Sequence, residues 1–168
     1  MAITDLILIV DERDQPIGNE TMQKARANGL IHRIVRIMVE DSNGRVLLQR
    51  RTNKVLWPHC WDNSAAGHVD ADEDYFAAAT RELSEEIDIK AEELQEVDTY
   101  FTDTVNNGHI LKRFNRLYRL VKDDAPTNVH NEEVEQVKWF TLDEVKDLIK
   151  NHPSEVTDGL VDVITRYY

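Results

Sequence analysis

Residues 67–89 read GHVDADEDYFAAATRELSEEIDI, and the hexapeptide RELSEE at 81–86 poses a problem of charge. Glu82, Glu85 and Glu86 stand three and four apart, so on a helix they share one side, with Cβ atoms about 5–6 Å apart. On an exposed face such repulsion costs only about 0.2–0.5 kcal/mol per pair and is screened by salt. Partly buried, two such charges about 5 Å apart cost roughly 3 kcal/mol at an effective dielectric near 20. Either the face is fully solvated or something positive stands in front of it.

The spacing predicts a helix from about Asp72 to Ile87, with Asp72 as N-cap and Glu73 and Asp74 suited to the positive end of the dipole. At about 100° per residue, Phe76, Ala79, Leu83 and Ile87 form the buried stripe, and the three glutamates flank it. The acids therefore belong at the edge of the core, where charge is less screened.

Around this helix the chain alternates short strands and helices. DLILIVDERD reads as a strand stopped by the turn residues DQPIG, and ETMQKARANG as a helix ended by Gly29. HRIVRIMVEDSNGRVLLQRR reads as a hairpin, with Asn43-Gly44 supplying positive φ for a tight primed turn. WDNSAAGHV is a strand whose small residues let backbone or ligand come close. A second hairpin, EVDTYFTDTV and HILKRFNRLYRLV, folds across Asn106-Asn107-Gly108. EEVEQVKWF adds a strand, Thr141 and Glu144 form a capping box, and a last helix covers about Val156–Tyr168. Strands interrupted by helices without regular βαβ alternation indicate an α+β domain with an α/β/α layering.

The 168 residues suit one domain over residues 1–168, and no repeat or Pro/Gly/Ser-rich linker divides them. A net charge of −12 excludes a nucleic-acid polymer or an anionic membrane as the main partner, although a phosphate ester can bind where a cation mediates. Cys60 is the one cysteine, so no internal disulfide or cysteine zinc cluster can form. The longest apolar run, Leu6–Val10, is far short of a membrane span, and MAITDLILIVDERD lacks a basic leader region. A reducing, cytoplasmic setting is the expectation, and the oligomeric state stays open, a homodimer being one option.

Gly67, five residues, Glu73, seven residues, then Arg81-Glu82-Leu83-Ser84-Glu85-Glu86-Ile87-Asp88-Ile89 resembles the Nudix box, Gly-x5-Glu-x7-Arg-Glu-U-x-Glu-Glu-x-Gly-U, at eight of nine defined positions. Agreement of that kind by chance is on the order of one in 10⁷ per starting point. The departure is Asp88, where the family has a helix-ending glycine; aspartate enters the left-handed region more easily than most residues. The resemblance implies a MutT-like hydrolase with a mixed sheet in an α/β/α sandwich. It also implies that Glu82, Glu85 and Glu86, with the backbone carbonyl of Gly67, hold Mg²⁺ or Mn²⁺ against a small-molecule diphosphate substrate. Hard cations of this kind prefer oxygen ligands. Glu85, or one of Glu132, Glu133 and Glu135, is the candidate general base, and Glu73 is the expected ion-pair partner of Arg81.

Arg50, Arg51 and Lys54 precede the box and are candidates to meet substrate phosphates; the alternative is a basic edge that discourages strand pairing. Trp57 and Trp61 read as packing aromatics or as a stacking surface for a base, and Cys60 as a small buried thiol. LWPHCWDNSAAGHVD also resembles the corresponding stretch of isopentenyl-diphosphate isomerase, a Nudix-fold enzyme. That resemblance implies a proton-carrying cysteine where this chain has Ala66, and an acidic pair where it has LKRFNRL. His32 and His68 match two of the isomerase's metal histidines, and Ala25 falls where a third is expected. The isomerase architecture is therefore expected here, and its chemistry is not. A catalytically silent binding domain is the third reading, and the intact glutamates speak against it.

Overall fold

A computed structural model describes residues 5–168; residues 1–4, the head of the stretch read above for a leader, lie outside the described residues. The elements run β1 (Leu6–Val10), β2 (Pro16–Thr21), α1 (Met22–Asn28), β3 (His32–Glu40), β4 (Val46–Arg51), β5 (Trp61–Asp62) and β6 (Ala65–His68). They continue with α2 (Tyr75–Ile87), β7 (Gln95–Asn106), β8 (His109–Val121), β9 (Val134–Phe140), α3 (Leu142–Asn151) and α4 (Asp158–Tyr167). None of the described helices is long and apolar enough to cross a membrane.

Strand β3 is the hub of a mixed sheet. One edge runs parallel to β8 from His32↔Arg113 to Glu40↔Val121. The other edge is shared: β1 pairs at Ile9↔His32, β6 over Ile34–Ile37, and β4 only at Val39↔Leu47 and Glu40↔Val46. Beyond those two pairs β4 leaves β3 and takes β9 and β5 as its neighbours. The sheet therefore splays where β6 begins.

Alternation along the strands builds the two outer layers, because successive side chains point to opposite faces. Val35, Ile37, Val39 and Leu47 face α2, meeting Ala79, Leu83 and Ile87. Met38, Val46, Leu48 and Leu117 face α3 and α4, meeting Val145, Leu160, Val163 and Ile164. The α/β/α layering expected from the sequence follows. On this second face, the residues of β3 toward its start are His32, Ile34 and Arg36, so its apolar character gives way to a polar floor.

Several local expectations are met by the geometry. Thr141 and Glu144 form the capping box in both directions, and Asn107 and Gly108 turn the β7–β8 hairpin at φ 47 and 81. Gly29 caps α1 in the left-handed region at φ 64.

Others are corrected. The strand expected over DLILIVDERD ends already at Val10, and DQPIG does not stop it as a turn: from Pro16 the chain continues as β2, antiparallel to β1. At the β3–β4 turn only Gly44 takes positive φ, and Asp41 closes a longer loop by accepting from the backbone N–H groups of Asn43 and Arg45 at 3.0 and 2.8 Å. WDNSAAGHV splits into β5 and β6, which join β4 and β3 respectively. Helix α2 is capped by Asp74, whose side chain accepts from Ala77 N at 2.8 Å, so Asp72 and Glu73 lie outside it. Phe76 is 40% exposed and Tyr75 and Ala78 are buried in its stead.

Asp88 ends α2 at φ 56, ψ 37, the left-handed conformation that the box's glycine would adopt without steric cost. Asp88→Gly is expected to raise unfolding stability by about 0.5–1 kcal/mol. Urea denaturation at pH 7 checks this, and an unchanged or lower midpoint would contradict it.

Candidate active site

The glutamates of α2 lie deeper than the edge of the core. Glu82 and Glu86 are buried in the same stripe as Leu83 and Ile87, whereas the Glu85 side chain is 60% exposed. Gly67 makes this possible: a Cβ there would collide with the Glu82 carboxylate, so that carboxylate occupies the space a side chain would fill. Glu86 Oε2 accepts from Ala66 N at 3.1 Å and from Gln49 Nε2. Strand β6 thus offers α2 a bare backbone, which answers why the sequence runs to small residues there.

Burial sets the electrostatics. Desolvation pushes the Glu82 carboxyl up to about 8, even though Arg81 pulls it down. Desolvation, reinforced by the charge of Glu82, raises Glu86 well above the ordinary carboxylate range. Two buried carboxyls held so close favour a proton or a cation between them.

Arg81 supplies one positive charge and shares it widely. Its Nε and Nη2 donate to the two oxygens of Glu73 at 2.6 and 2.9 Å, the expected ion pair in a fork geometry. Nη1 donates to Glu82 at 2.8 Å and to Glu85 at 3.3 Å, and Nη2 also to His68 O at 3.0 Å. Among the described residues no three His, Cys, Asp or Glu side chains already converge as a ligand set, since Arg81 draws Glu82 and Glu85 to itself.

A cavity of about 840 Å³ opens where the sheet splays, within the size range of ligand pockets. Glu82, Glu85, Glu86, Glu133 and Asp70 line its acidic side. Arg26, Arg36, Arg51, Lys54 and Arg113 line the rest, interspersed with Asp5, Asp62 and Asp158, of which Asp62 pairs with Arg51 and Asp158 with Arg113. An all-oxygen donor set around the Gly67 recess is what a hard divalent cation requires, and the residues fit such an ion.

Of the basic candidates, Arg51 and Lys54 line this cavity together with Trp57. Arg51 is braced by Asp62 Oδ2 at 3.0 Å and Leu56 O at 2.6 Å, and Lys54 lies 3.6 Å from Glu132. Arg50 is not among the lining residues; its Nε donates to His59 O at 3.0 Å and faces Glu135 at 3.5 Å. Trp61 packs edge-on against Phe140. Cys60 is buried, its thiol pushed up by desolvation and 3.3 Å from Ser154 O, away from the cavity lining. Ala66 lines the cavity, and no thiol does.

Sequence reading missed Arg26, Arg36 and Arg113. The available signal was Arg36 at a buried position in the otherwise apolar RIMV of β3, and a buried arginine needs a reason. His32 and His68 stack with ring centroids 5.3 Å apart. Burial lowers His32 to about 4 and His68 well below its ordinary value, with Arg113 and Arg26 lowering both further. Both rings are neutral at pH 7, beside guanidinium groups that oppose a cation.

The family model of the NUDIX domain matches residues 30–160. An uncharacterized Nudix hydrolase of Pseudomonas aeruginosa is 35% identical over 137 residues, spanning 81% of this chain and 78% of the relative. An isopentenyl-diphosphate Delta-isomerase of Serratia proteamaculans is 31% identical over 155 residues, spanning 91% of this chain and 86% of the relative. A crystal structure of a Deinococcus radiodurans protein superposes with a TM-score of 0.79 at 23% identity, covering 97% of this chain and 99% of that one. With its box glutamates lining the cavity and hydrolases among its relatives, this chain belongs to the Nudix family as an enzyme of the hydrolase kind.

Proposed function

We propose that the chain is a divalent-metal-dependent hydrolase that cleaves the diphosphate linkage of a nucleoside diphosphate derivative by attack of water on phosphorus. The observation that carries this is the pair of buried carboxyls, Glu82 and Glu86, facing one cavity with Arg51 and Lys54. A buried like-charged pair is costly unless a cation meets it.

Glu82, Glu85 and Glu86, with the backbone of Gly67, would hold Mg²⁺ or Mn²⁺. The ion would supply Lewis acidity to phosphoryl oxygens and neutralise their charge. The chain's own groups do the rest. Gln49 and Ala66 N fix the orientation of Glu86, and Arg81 fixes that of Glu82. Arg51 and Lys54 position the diphosphate, and Trp57 offers a face to a base. Glu85, exposed on the cavity wall, takes the proton of the attacking water; of the other candidate bases, Glu133 also lines the cavity. Glu132 and Glu135 are turned to Lys54 and to Arg50 and His59. The free Cys60 is consistent with a reducing, cytoplasmic setting.

The isomerase relative invites a second reading, but that chemistry moves a proton at carbon, and a methyl group at Ala66 carries none. A panel of nucleoside diphosphate derivatives with Mg²⁺ or Mn²⁺ is expected to release a monophosphate from at least one of them. Glu85→Gln should slow that release by about 10²–10⁴-fold, the worth of a positioned proton acceptor. Isopentenyl diphosphate should be recovered unchanged; its conversion to dimethylallyl diphosphate would overturn the hydrolase reading. Failure of both assays would favour a silent binding domain.

A further inference from the structure

Arg36 and Arg113 both line the floor of the cavity from adjacent strands of the second face, Arg113 level with His32 and Arg36 four residues further along β3. Arg36 lies opposite Ala66, the residue whose backbone holds Glu86, so this floor adjoins the glutamates. Arg36 is 3% exposed and Arg113 4%, among the most deeply buried charges of the chain. Their partners are few. Arg36 donates to two neutral amides, Asn115 Oδ1 at 3.0 Å and Asn63 Oδ1 at 3.2 Å, and has no ion-pair partner among the described residues. Arg113 meets Asp158 at 3.3 Å through Nη2. Asp162 on α4 acts on both through its charge, without a direct ion pair, and Arg36 is the strongest charge that it feels.

A second observation comes from unpaired donors. Arg26 Nε and Arg113 Nε are buried without a hydrogen-bond partner, and both residues line the cavity. A buried donor left unmade costs about 1–3 kcal/mol, more when charged. His32 Nδ1 donates to Leu30 O at 2.9 Å, so its buried Nε2 is a lone pair that also lacks a partner. Guanidinium groups are the side chains that match phosphate with paired N–H donors. The unpartnered guanidinium donors, and not the imidazole lone pair, which would repel an anion, are what suit this end of the cavity to phosphate.

We propose that Arg113, Arg36 and Arg26 form a second anion subsite, beyond the diphosphate held by Arg51 and Lys54, and that the group X, the part of the substrate joined to the nucleoside diphosphate, carries a terminal phosphate that fills it. The assignment of X rests on the hydrolase reading of the cavity; the subsite itself does not. The substrate is thereby an extended polyanion, such as a nucleoside triphosphate, in preference to a nucleoside diphosphate joined to a neutral sugar.

The test begins without metal, in chelator, using inorganic phosphate and inorganic diphosphate as probes and thermal shift and calorimetry as readouts. Wild type should be stabilised by both. Arg113→Met should keep or raise the ligand-free melting temperature, because it removes an under-compensated buried charge, and should bind the probes at least about 10-fold more weakly. Arg113→Lys should recover part of that loss, and Arg26→Met, on the half-buried α1 side chain, should weaken probe binding about 3–10-fold. Should Arg113→Met fail to fold, the lysine and Arg26 variants decide. Glu86→Gln should bind the metal-free probes as tightly as wild type or more tightly, since it removes a negative charge from the same cavity, whereas the arginine variants bind them more weakly.

With Mg²⁺, Arg113→Met should raise KM for a nucleoside triphosphate at least about 10-fold, while KM for the diphosphate hexose of the same base changes less than about 3-fold. Probe binding unchanged in both Arg113 variants would overturn the subsite, even if hydrolysis is robust. Lost probe binding together with equal KM effects on both substrates would overturn the terminal phosphate. Lost probe binding without any hydrolysis would keep the subsite and sink the hydrolase reading.

Discussion

Glu86→Gln is expected to cut hydrolysis at least about 100-fold and to remove most of the rise in melting temperature that millimolar Mg²⁺ or Mn²⁺ gives the wild type. The amide is nearly isosteric, so its carbonyl oxygen can still accept from Ala66 N, and the charge alone is lost. The same change should raise the metal-free melting temperature at pH 8, because a buried carboxylate without a cation is replaced by a neutral group. Stability gained without metal and lost with it is a signature that a merely structural glutamate would not show. If millimolar cations leave the wild-type curve unmoved, the cation site is wrong.

The pH dependence follows from the same burial. Glu82 rises from 4.5 to about 8 in the folded chain, so the fold takes up protons that the unfolded chain has released. That contribution is fully present below about 4.5 and is lost as pH climbs toward 8. The histidines act in the opposite sense: His32, lowered from 6.5 to about 4, favours the fold more as pH rises to 6.5 and contributes a constant amount above it. Between pH 6.5 and 8.5 the glutamates are therefore left to dominate. The metal-free wild type should lose melting temperature across that window, Glu86→Gln should lose less, and Mg²⁺ should flatten both the curve and its dependence on protons.

How far the site could be read from the chain depended on how local each signal was. The capping box at Thr141 and the αL end of α2 at Asp88 are set by neighbouring residues, and both were legible. So was the Glu73–Arg81 pair, since both belong to one short motif. Strand β2 was not: PIGNET is largely exposed and lacks the apolar alternation that marks a strand, and it forms because β1 offers it an edge. The depth of Glu82 and Glu86 was underestimated for a related reason. A helical wheel gives their angle on α2, but only the glycine on β6 says how closely the sheet approaches. The arginine floor depends on β3 running parallel to β8, a pairing between residues about 80 apart that no local pattern encodes. Arg50 illustrates the converse, since adjacency to Arg51 suggested a shared role and strand alternation sends the two side chains to different partners.

Arg81→Met is expected to be the most destabilising single change in the site. One guanidinium satisfies Glu73 through a fork, Glu82 and Glu85 through Nη1, and the backbone oxygen of His68. Removing it leaves two largely buried carboxylates and a carbonyl without their donor. Breaking a buried ion pair by deleting one partner costs about 3–5 kcal/mol, which for a chain of this length is a fall of roughly 6–20 °C in melting temperature. Although burial raises it, the Glu73 carboxyl is held below its ordinary value by the Arg81 hydrogen bonds and by Asp70 N. Its stabilising contribution is thus present above about pH 4.5 and is lost as pH falls below that. The deficit of Arg81→Met relative to wild type should accordingly be largest near pH 7.5 and shrink toward pH 4, where the orphaned carboxylates can take up protons. Arg81→Lys should fall between the two, since an ammonium supplies the charge but not the fork. Mg²⁺ should recover part of the loss, as a cation near Glu82 replaces some of the missing charge, but not the part due to Glu73. Urea midpoints for the three proteins at pH 7.5 and pH 5, with and without Mg²⁺, measure each of these terms. A variant within about 1 kcal/mol of wild type at pH 7.5 would mean that solvent, and not Arg81, carries the acidic face.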